Sequence, residues 1–418
     1  MTRTTPTSTT PTTSTAGAGR RGRQTRQRSQ RPAVSADLLA MLAGRLTGRD
    51  RWTFGMLVEH RVLTTTQLTA LAFTGRREAE RRLAALWAWR CIDRFRPHTA
   101  LGGGSAPFHW VLDDAGAAVL AAGHGLSDAE FGYRRATALA IAHSQRLTHT
   151  VGANSFLTAL ATAHPITSAG ADSTGTGTRV EGRLVDWWGE RRCAAAWGDL
   201  VRPDAAAAWQ TPNPAGHGAT AGRAAAGSAA IGGAAAGGLL GFAVEYDTGA
   251  ETLARVAAKL GDYADLAAAA GQILPVLFWL PSVARESALH RHLDPTGLLV
   301  ATAAADHAAT AGGPTGGVWR PAAPPERGRV LRRQRLTLDQ LTAAWASTDT
   351  LTVGSVDAGL GWPAPNPTPP RRPPDPTNTD AAADERRDSG TDGAGASSRD
   401  GGRDNGGDRG GDGRSWGS

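Results

Sequence analysis

"GFAVEYDTGAETLARVAAKLGDYADLAAAAGQILPVLFWLP" spans residues 241–281, and its reading decides the fold. Gly241–Asp247 alternate: Phe242, Val244 and Tyr246 share one face, while Ala243, Glu245 and Asp247 share the other. That is the period of a strand. The next segment places Leu253, Val256 and Leu260 on one helical stripe. Pro275–Pro281 is an unbroken apolar run bounded by prolines, the pattern of a buried strand. Strand, helix and strand within about 40 residues make a βαβ unit, with a right-handed crossover and parallel pairing.

Two carboxylates on one strand face repel unless a cation lies between them. Lys259, the only lysine of the chain, follows on the helix, whereas the other 44 basic residues are arginine. An ammonium is compact and its pKa can be shifted. The ammonium can orient water or steady charge at phosphorus, its neutral amine can deprotonate water, and a lysine suits these tasks better than an arginine. Upstream, Asp204 follows Pro203 after a strand-like run at 199–202. A hairpin with the strand of Glu245 brings the two acids together, with the low-complexity stretch 211–238 as its loop. "LVDWWGERR" reads as a helix that offers Glu190. The candidate catalytic set is therefore Asp204, Glu245, Lys259 and Glu190, with Asp204, Glu245 and Asp247 as metal ligands. Such hard oxygen donors suit Mg²⁺ or Mn²⁺. Plainer readings stand beside this one: a chance lysine, a turn residue at Asp204, a helix-entry residue at Asp247 and a surface ion pair at Glu190.

Working toward the N-terminus, "RDRWTFGMLVEH" reads as a first helix, and the threonines at 64–66 cap a short second one. "RREAERRLAALWAW" is a third helix, with Ala79, Leu83 and Leu86 on its apolar stripe. A strand containing Ile92 and Arg94, the glycine-rich loop "TALGGGSAP", the strand "FHWVLD" and a closing helix complete the order of a winged helix-turn-helix. Arg76, Arg77, Arg81 and Arg82 on the third helix, with Arg94 and Arg96 at the wing, are the expected DNA contacts. The alternative is a small helical domain with a solvated arginine face.

The formal charge of +7 favours a polyanionic partner. Residues 1–35 hold seven arginines and no acid, and 380–418 hold nine acids and six arginines. Both ends lack the apolar residues that a core needs, so disordered segments are expected at 1–35 and 351–418. Ordered domains are expected at 36–123 and 134–350, with a linker at 124–133. Two cysteines exclude a disulfide scaffold, and no apolar run reaches the roughly 18 residues of a membrane span. A cytoplasmic location is expected.

The acids and Lys259 resemble the PD-(D/E)xK nuclease superfamily, whose motif is an Asp, then Glu-x-Lys on the next strand, often with an upstream helical Glu. Here Asp247 stands where that lysine belongs, and Lys259 has migrated to the helix. Blocks such as "LTGRDRWTFGMLVEHRVLTTTQLTALAF", "WWGERRCAAAWGDLVRPDA" and "FAVEYDTGAETLARVAAKLGDYADL" resemble the replication-relaxation family of actinobacterial plasmids and mobile elements. The resemblances imply an α+β multidomain protein: a winged helix-turn-helix followed by an α/β restriction-endonuclease-like domain. They imply a double-stranded DNA partner and either metal-dependent nicking or processing of DNA in plasmid replication or transfer, or a non-enzymatic regulator or initiator with an inactive nuclease-like domain. A homodimer and contacts with replication or transfer proteins are left open.

Overall fold

Side-chain caps open several helices of the N-terminal half. Ser35 caps α1 (Ala36–Ala43), and Thr47 with Asp50 forms a capping box on α2 (Gly48–His60). β1 (Leu63–Thr64) leads into α3 (Thr65–Ala72), where Thr64 and Gln67 make a second capping box. α4 (Arg76–Ala88), β2 (Ile92–Phe95), β3 (His109–Leu112) and α5 (Asp114–Gly123) follow. The three strands form an antiparallel sheet in the order β1-β3-β2. The segment expected as a linker instead holds α6 (Asp128–Phe131), again with a capping box, and its Phe131 is buried against Trp362 at 4.8 Å. α7 (Arg135–Ala140) and α8 (Leu147–Ala161) come next.

The computed structural model describes residues 34–97, 106–163, 182–212, 238–295, 297–322 and 334–370. The expected glycine-rich wing, most of the low-complexity insert, the N-terminal segment to residue 33 and the chain beyond 370 lie outside them. The fold is mixed α+β.

The second sheet has six strands: β4 (Arg183–Gly189), β5 (Ala205–Gln210), β6 (Leu239–Tyr246), β7 (Val276–Leu280), β8 (Val300–Ala304) and β9 (Arg320–Ala322). They lie in sequence order. The β4–β5, β5–β6 and β8–β9 pairs are antiparallel, while β6, β7 and β8 run parallel. Five helices accompany them: α9 (Glu190–Trp197), α10 (Leu253–Ala270), α11 (Val283–Leu289), α12 (Ala305–Ala308) and α13 (Leu338–Trp345). The βαβ unit expected at 241–281 is β6–α10–β7.

The pleat divides the core. Trp187, Ala207, Phe242, Val244 and Leu277 join one cluster that runs through α8 into the N-terminal half. Trp188, Ala206, Ala243 and Phe278 join another with Val256, Leu260 and Tyr263 of α10. Three expectations need correction. "LVDWWG" is strand, not helix, because Trp187 and Trp188 are buried on opposite faces. A strand covered on both sides has no alternation to betray it. It ends at Gly189, where a Cβ would come 2.4 Å from the Glu59 carbonyl oxygen. Residues 199–202 are not strand, and β5 starts only at Ala205. Residues 351–370 pack as a strap rather than leaving as a tail: Leu351, Val353 and Trp362 are buried, and Trp52 Nε1 donates to the Asn366 carbonyl at 2.7 Å.

Candidate active site

β6 and β5 pair with Val244 opposite Ala205, so the next step sets Glu245 opposite Asp204. The two acids line one cleft of about 750 Å³ with Lys259, His149, Arg146 and Arg202. The hairpin expected from the sequence thus brings Asp204, Glu245 and Lys259 together.

Glu245 is 3% exposed, and each of its oxygens has a partner. Lys259 Nζ donates to Oε2 at 2.6 Å, and the Tyr263 hydroxyl donates to Oε1 at 2.6 Å. Both donors come from α10, four residues apart and therefore on one face. Burial, then the charge of Asp204, pushes the Glu245 carboxyl up to about 7, and Lys259 acts against that rise. Burial alone would lower the Lys259 pKa, but the charges of Glu245 and Asp204 prevail and raise it. Burial, then the Glu245 charge, holds the Tyr263 hydroxyl well above its ordinary value.

Asp204 is anchored from three sides. Its Oδ2 accepts from the Tyr246 backbone at 2.9 Å and lies 3.1 Å from His149 Nε2. Its Oδ1 is 3.7 Å from Arg146. His149 stands on the first turn of α8, edge-on to the Tyr246 ring at 5.7 Å. Gly152, one turn on, makes this approach feasible, because a Cβ there would come 2.3 Å from that ring. Burial opposes protonation of His149, but the hydrogen bond and charge of Asp204 outweigh it and raise its pKa.

The remaining expected residues behave differently. Asp247 lines the cleft, but Arg285 takes its carboxylate through Nε and through Nη2, the latter at 3.0 Å, and the Gly249 amide donates to it at 2.8 Å. Glu190 opens α9 and lies outside the cleft lining. It is held by Arg146 at 2.8 Å, with Arg61 at 3.7 Å; Arg146 also lies 3.7 Å from Asp204, and Glu190, His149 and Asp204 line one small cavity behind the cleft. Arg76, Arg77 and Arg81 are exposed on α4, Arg76 pairing with Glu80 at 2.8 Å. Arg82 is instead tied to buried Asp50, at 2.9 Å from Nε to Oδ1, and to the Arg45 carbonyl at 3.0 Å. Arg94 sits over Trp87 at 4.4 Å and Phe108 at 4.1 Å, and Arg96 over Phe108 at 3.7 Å.

Sequence reasoning missed His149, Arg146 and Tyr263 as parts of the site. The four-residue spacing of Lys259 and Tyr263 was a usable signal. Nothing local marks His149, whose partner lies 55 residues away in the chain. Among the described residues no group of three His, Cys, Asp or Glu is placed to hold a metal ion. Asp204 and Glu245 are oxygen donors facing one cleft, and both are already engaged, Glu245 by Lys259 and Tyr263 and Asp204 by His149 and the Tyr246 amide, so a cation there would share them with these partners.

The class defined so far is a mixed α+β protein with a carboxylate pair at one end of its sheet and a helix-borne lysine in a cleft edged with cations. The chain belongs to the replication-relaxation family, whose profile matches residues 54–276. That span covers α3 to β6, α10 and both carboxylates. Neither the curated proteins nor the solved structures gave a match. No described helix is long and apolar enough to cross a membrane.

Proposed function

We propose that the chain binds double-stranded DNA through its N-terminal half, as a winged helix, and cuts or nicks it in the cleft, in plasmid or mobile-element replication or transfer. The observation that carries this reading is the cleft itself: Asp204, just ahead of β5, beside Glu245 of the paired strand β6, with Lys259 hydrogen-bonded to Glu245. The restriction-endonuclease-like assignment rests on the same three residues and on the hairpin followed by a βαβ unit.

Asp204 and Glu245 would hold Mg²⁺ or Mn²⁺, which when bound supplies Lewis-acid polarisation of a phosphoryl oxygen. Lys259 places a compact positive charge beside the carboxylates, where charge develops on the phosphodiester. Tyr263 fixes Glu245, and the Tyr246 amide with His149 fixes Asp204, so both carboxylates are pre-positioned. Arg146 and Arg202 on the cleft wall give the DNA backbone a cationic path. Arg76, Arg77 and Arg81 suit phosphate or base contacts of a recognition helix.

A second reading has its own support. The carboxylates already have protein partners in Lys259, Tyr263, His149, Arg146 and Arg285, as in a site that grips DNA without cutting it. Incubation of supercoiled plasmid with the protein and Mg²⁺ or Mn²⁺ separates the two. Nicking that Asp204→Ala and Lys259→Met both abolish supports the nuclease. Binding without nicking leaves a DNA-binding regulator or initiator.

A further inference from the structure

A second pocket, of about 380 Å³, lies where α9 meets the N-terminal half. Its walls come from α2, α7 and α9. The floor is apolar, from Leu57, Val58, Leu112 and Ala138, with Tyr133 beside it. The Tyr133 hydroxyl donates to the Leu112 carbonyl at 2.5 Å, which fixes the ring as a wall.

The polar lining is unbalanced. Arg61, Arg134 and Arg191 share the lining with a single carboxylate, Glu190. Arg61 reaches it only at 3.7 Å, and Arg146 already holds it at 2.8 Å. No hydrogen bond or ion pair among the described residues engages the Arg134 guanidinium. Arg191 lies over Trp362 at 5.3 Å and has no acid partner among the described residues. Arg61 also adopts φ 65°, a left-handed conformation that a non-glycine residue seldom takes without a compensating role.

We propose that this pocket is a binding site for a nucleoside phosphate. The volume falls in the range of small-molecule sites. A base would lie on the aliphatic floor against the Tyr133 ring. The phosphate would meet the guanidiniums, whose planar forks match its oxygens. The same chemistry is carried by a free mononucleotide and by the 5′-phosphorylated end of a DNA strand. The pocket shares no lining residue with the cleft, although Arg146 links Glu190 to Asp204, so it does not depend on whether the cleft cuts DNA.

The test is calorimetric titration of the full chain with 2′-deoxyadenosine 5′-monophosphate, with adenosine alone and with inorganic phosphate alone. The mononucleotide is expected to bind, and each fragment to bind at least tenfold more weakly. Combined Arg134→Ala and Arg191→Ala, both at exposed residues, should weaken binding at least tenfold, and Ala138→Trp should fill the floor and abolish it. Asp204→Ala should leave it unchanged. A 5′-phosphorylated trinucleotide that binds more tightly than the mononucleotide identifies a strand end as the ligand, and weaker binding identifies the free nucleotide. Absence of binding at millimolar nucleotide, binding indifferent to both pocket variants, or loss of binding in Asp204→Ala would overturn the proposal.

Discussion

Glu245 shows how one residue can be legible and its neighbours not. Its strand face, its approach to Asp204 through a hairpin and the solitary lysine could all be read along the chain. His149 could not, because its place is set by α8 packing across Tyr246, a long-range event with no local signature. Glu190 was expected beside the other acids, yet its helix starts only after Gly189 and its carboxylate meets Arg146 and Arg61 instead. At this scale the Lys259–Glu245 pair is testable. Removing one partner of a buried pair costs about 3–5 kcal/mol. Lys259 is 32% exposed, and Glu245, whose carboxyl is already pushed up to about 7, can take a proton once the ammonium is gone, so the loss is smaller. Lys259→Met is therefore expected to lower stability by about 1–3 kcal/mol in urea denaturation. Adding Glu245→Gln should restore most of that loss, since the neutral amide no longer needs the ammonium. A double variant less stable than Lys259→Met alone would show that the pair is not coupled in this way.

Among the elements, α4 carries arginines with two different tasks. Arg76, Arg77 and Arg81 face solvent, so replacing all three by alanine should leave stability within about 0.5 kcal/mol. DNA affinity should fall, and the slope of log K against log salt should drop by about 0.9 for each phosphate that is no longer neutralised. Arg82 ties α4 to Asp50 of α2, and Arg82→Met should destabilise by about 3 kcal/mol, since Asp50 would be left buried without its cation. Burial pushes the Asp50 pKa up, but hydrogen bonds from Arg82 and Thr47 outweigh it and hold the pKa below its ordinary value. A depressed carboxyl binds fewer protons folded than unfolded. Its contribution is thus present above the ordinary pKa of 3.8 and lost as pH falls through the lower, folded value. Denaturation midpoints measured from pH 5 downward should decline less in Asp50→Asn than in the parent chain. The N-terminal helices were readable because capping threonines and apolar stripes agree. β4 was not, because two buried faces erase the alternation on which a strand assignment rests.

For the whole molecule, the boundary drawn from composition at residue 350 separates parts that the fold joins. Proline and glycine in 351–370 suggest a tail, yet a proline-rich segment packs through side chains and single backbone contacts without needing a ladder. Here Trp362 meets Phe131, Arg192 donates to the Trp362 carbonyl at 3.2 Å, and Trp52 donates to that of Asn366. The buried Glu59–Arg192 pair, at 2.9 Å, fastens α2 to α9 beneath the strap. Truncation after residue 350 is expected to expose α1 and α2 to limited proteolysis and to lower the melting temperature. An unchanged digestion pattern would contradict the strap's role. The central claim, that the cleft of Asp204, Glu245 and Lys259 processes DNA, is tested most directly by one assay. Supercoiled plasmid is incubated with the intact chain and Mg²⁺ or Mn²⁺, beside Asp204→Ala, Glu245→Gln and Lys259→Met. The account expects metal-dependent open-circular or linear product from the parent chain and none from the three variants. Tight plasmid binding with no product under either metal, or product that all three variants form equally well, would contradict it.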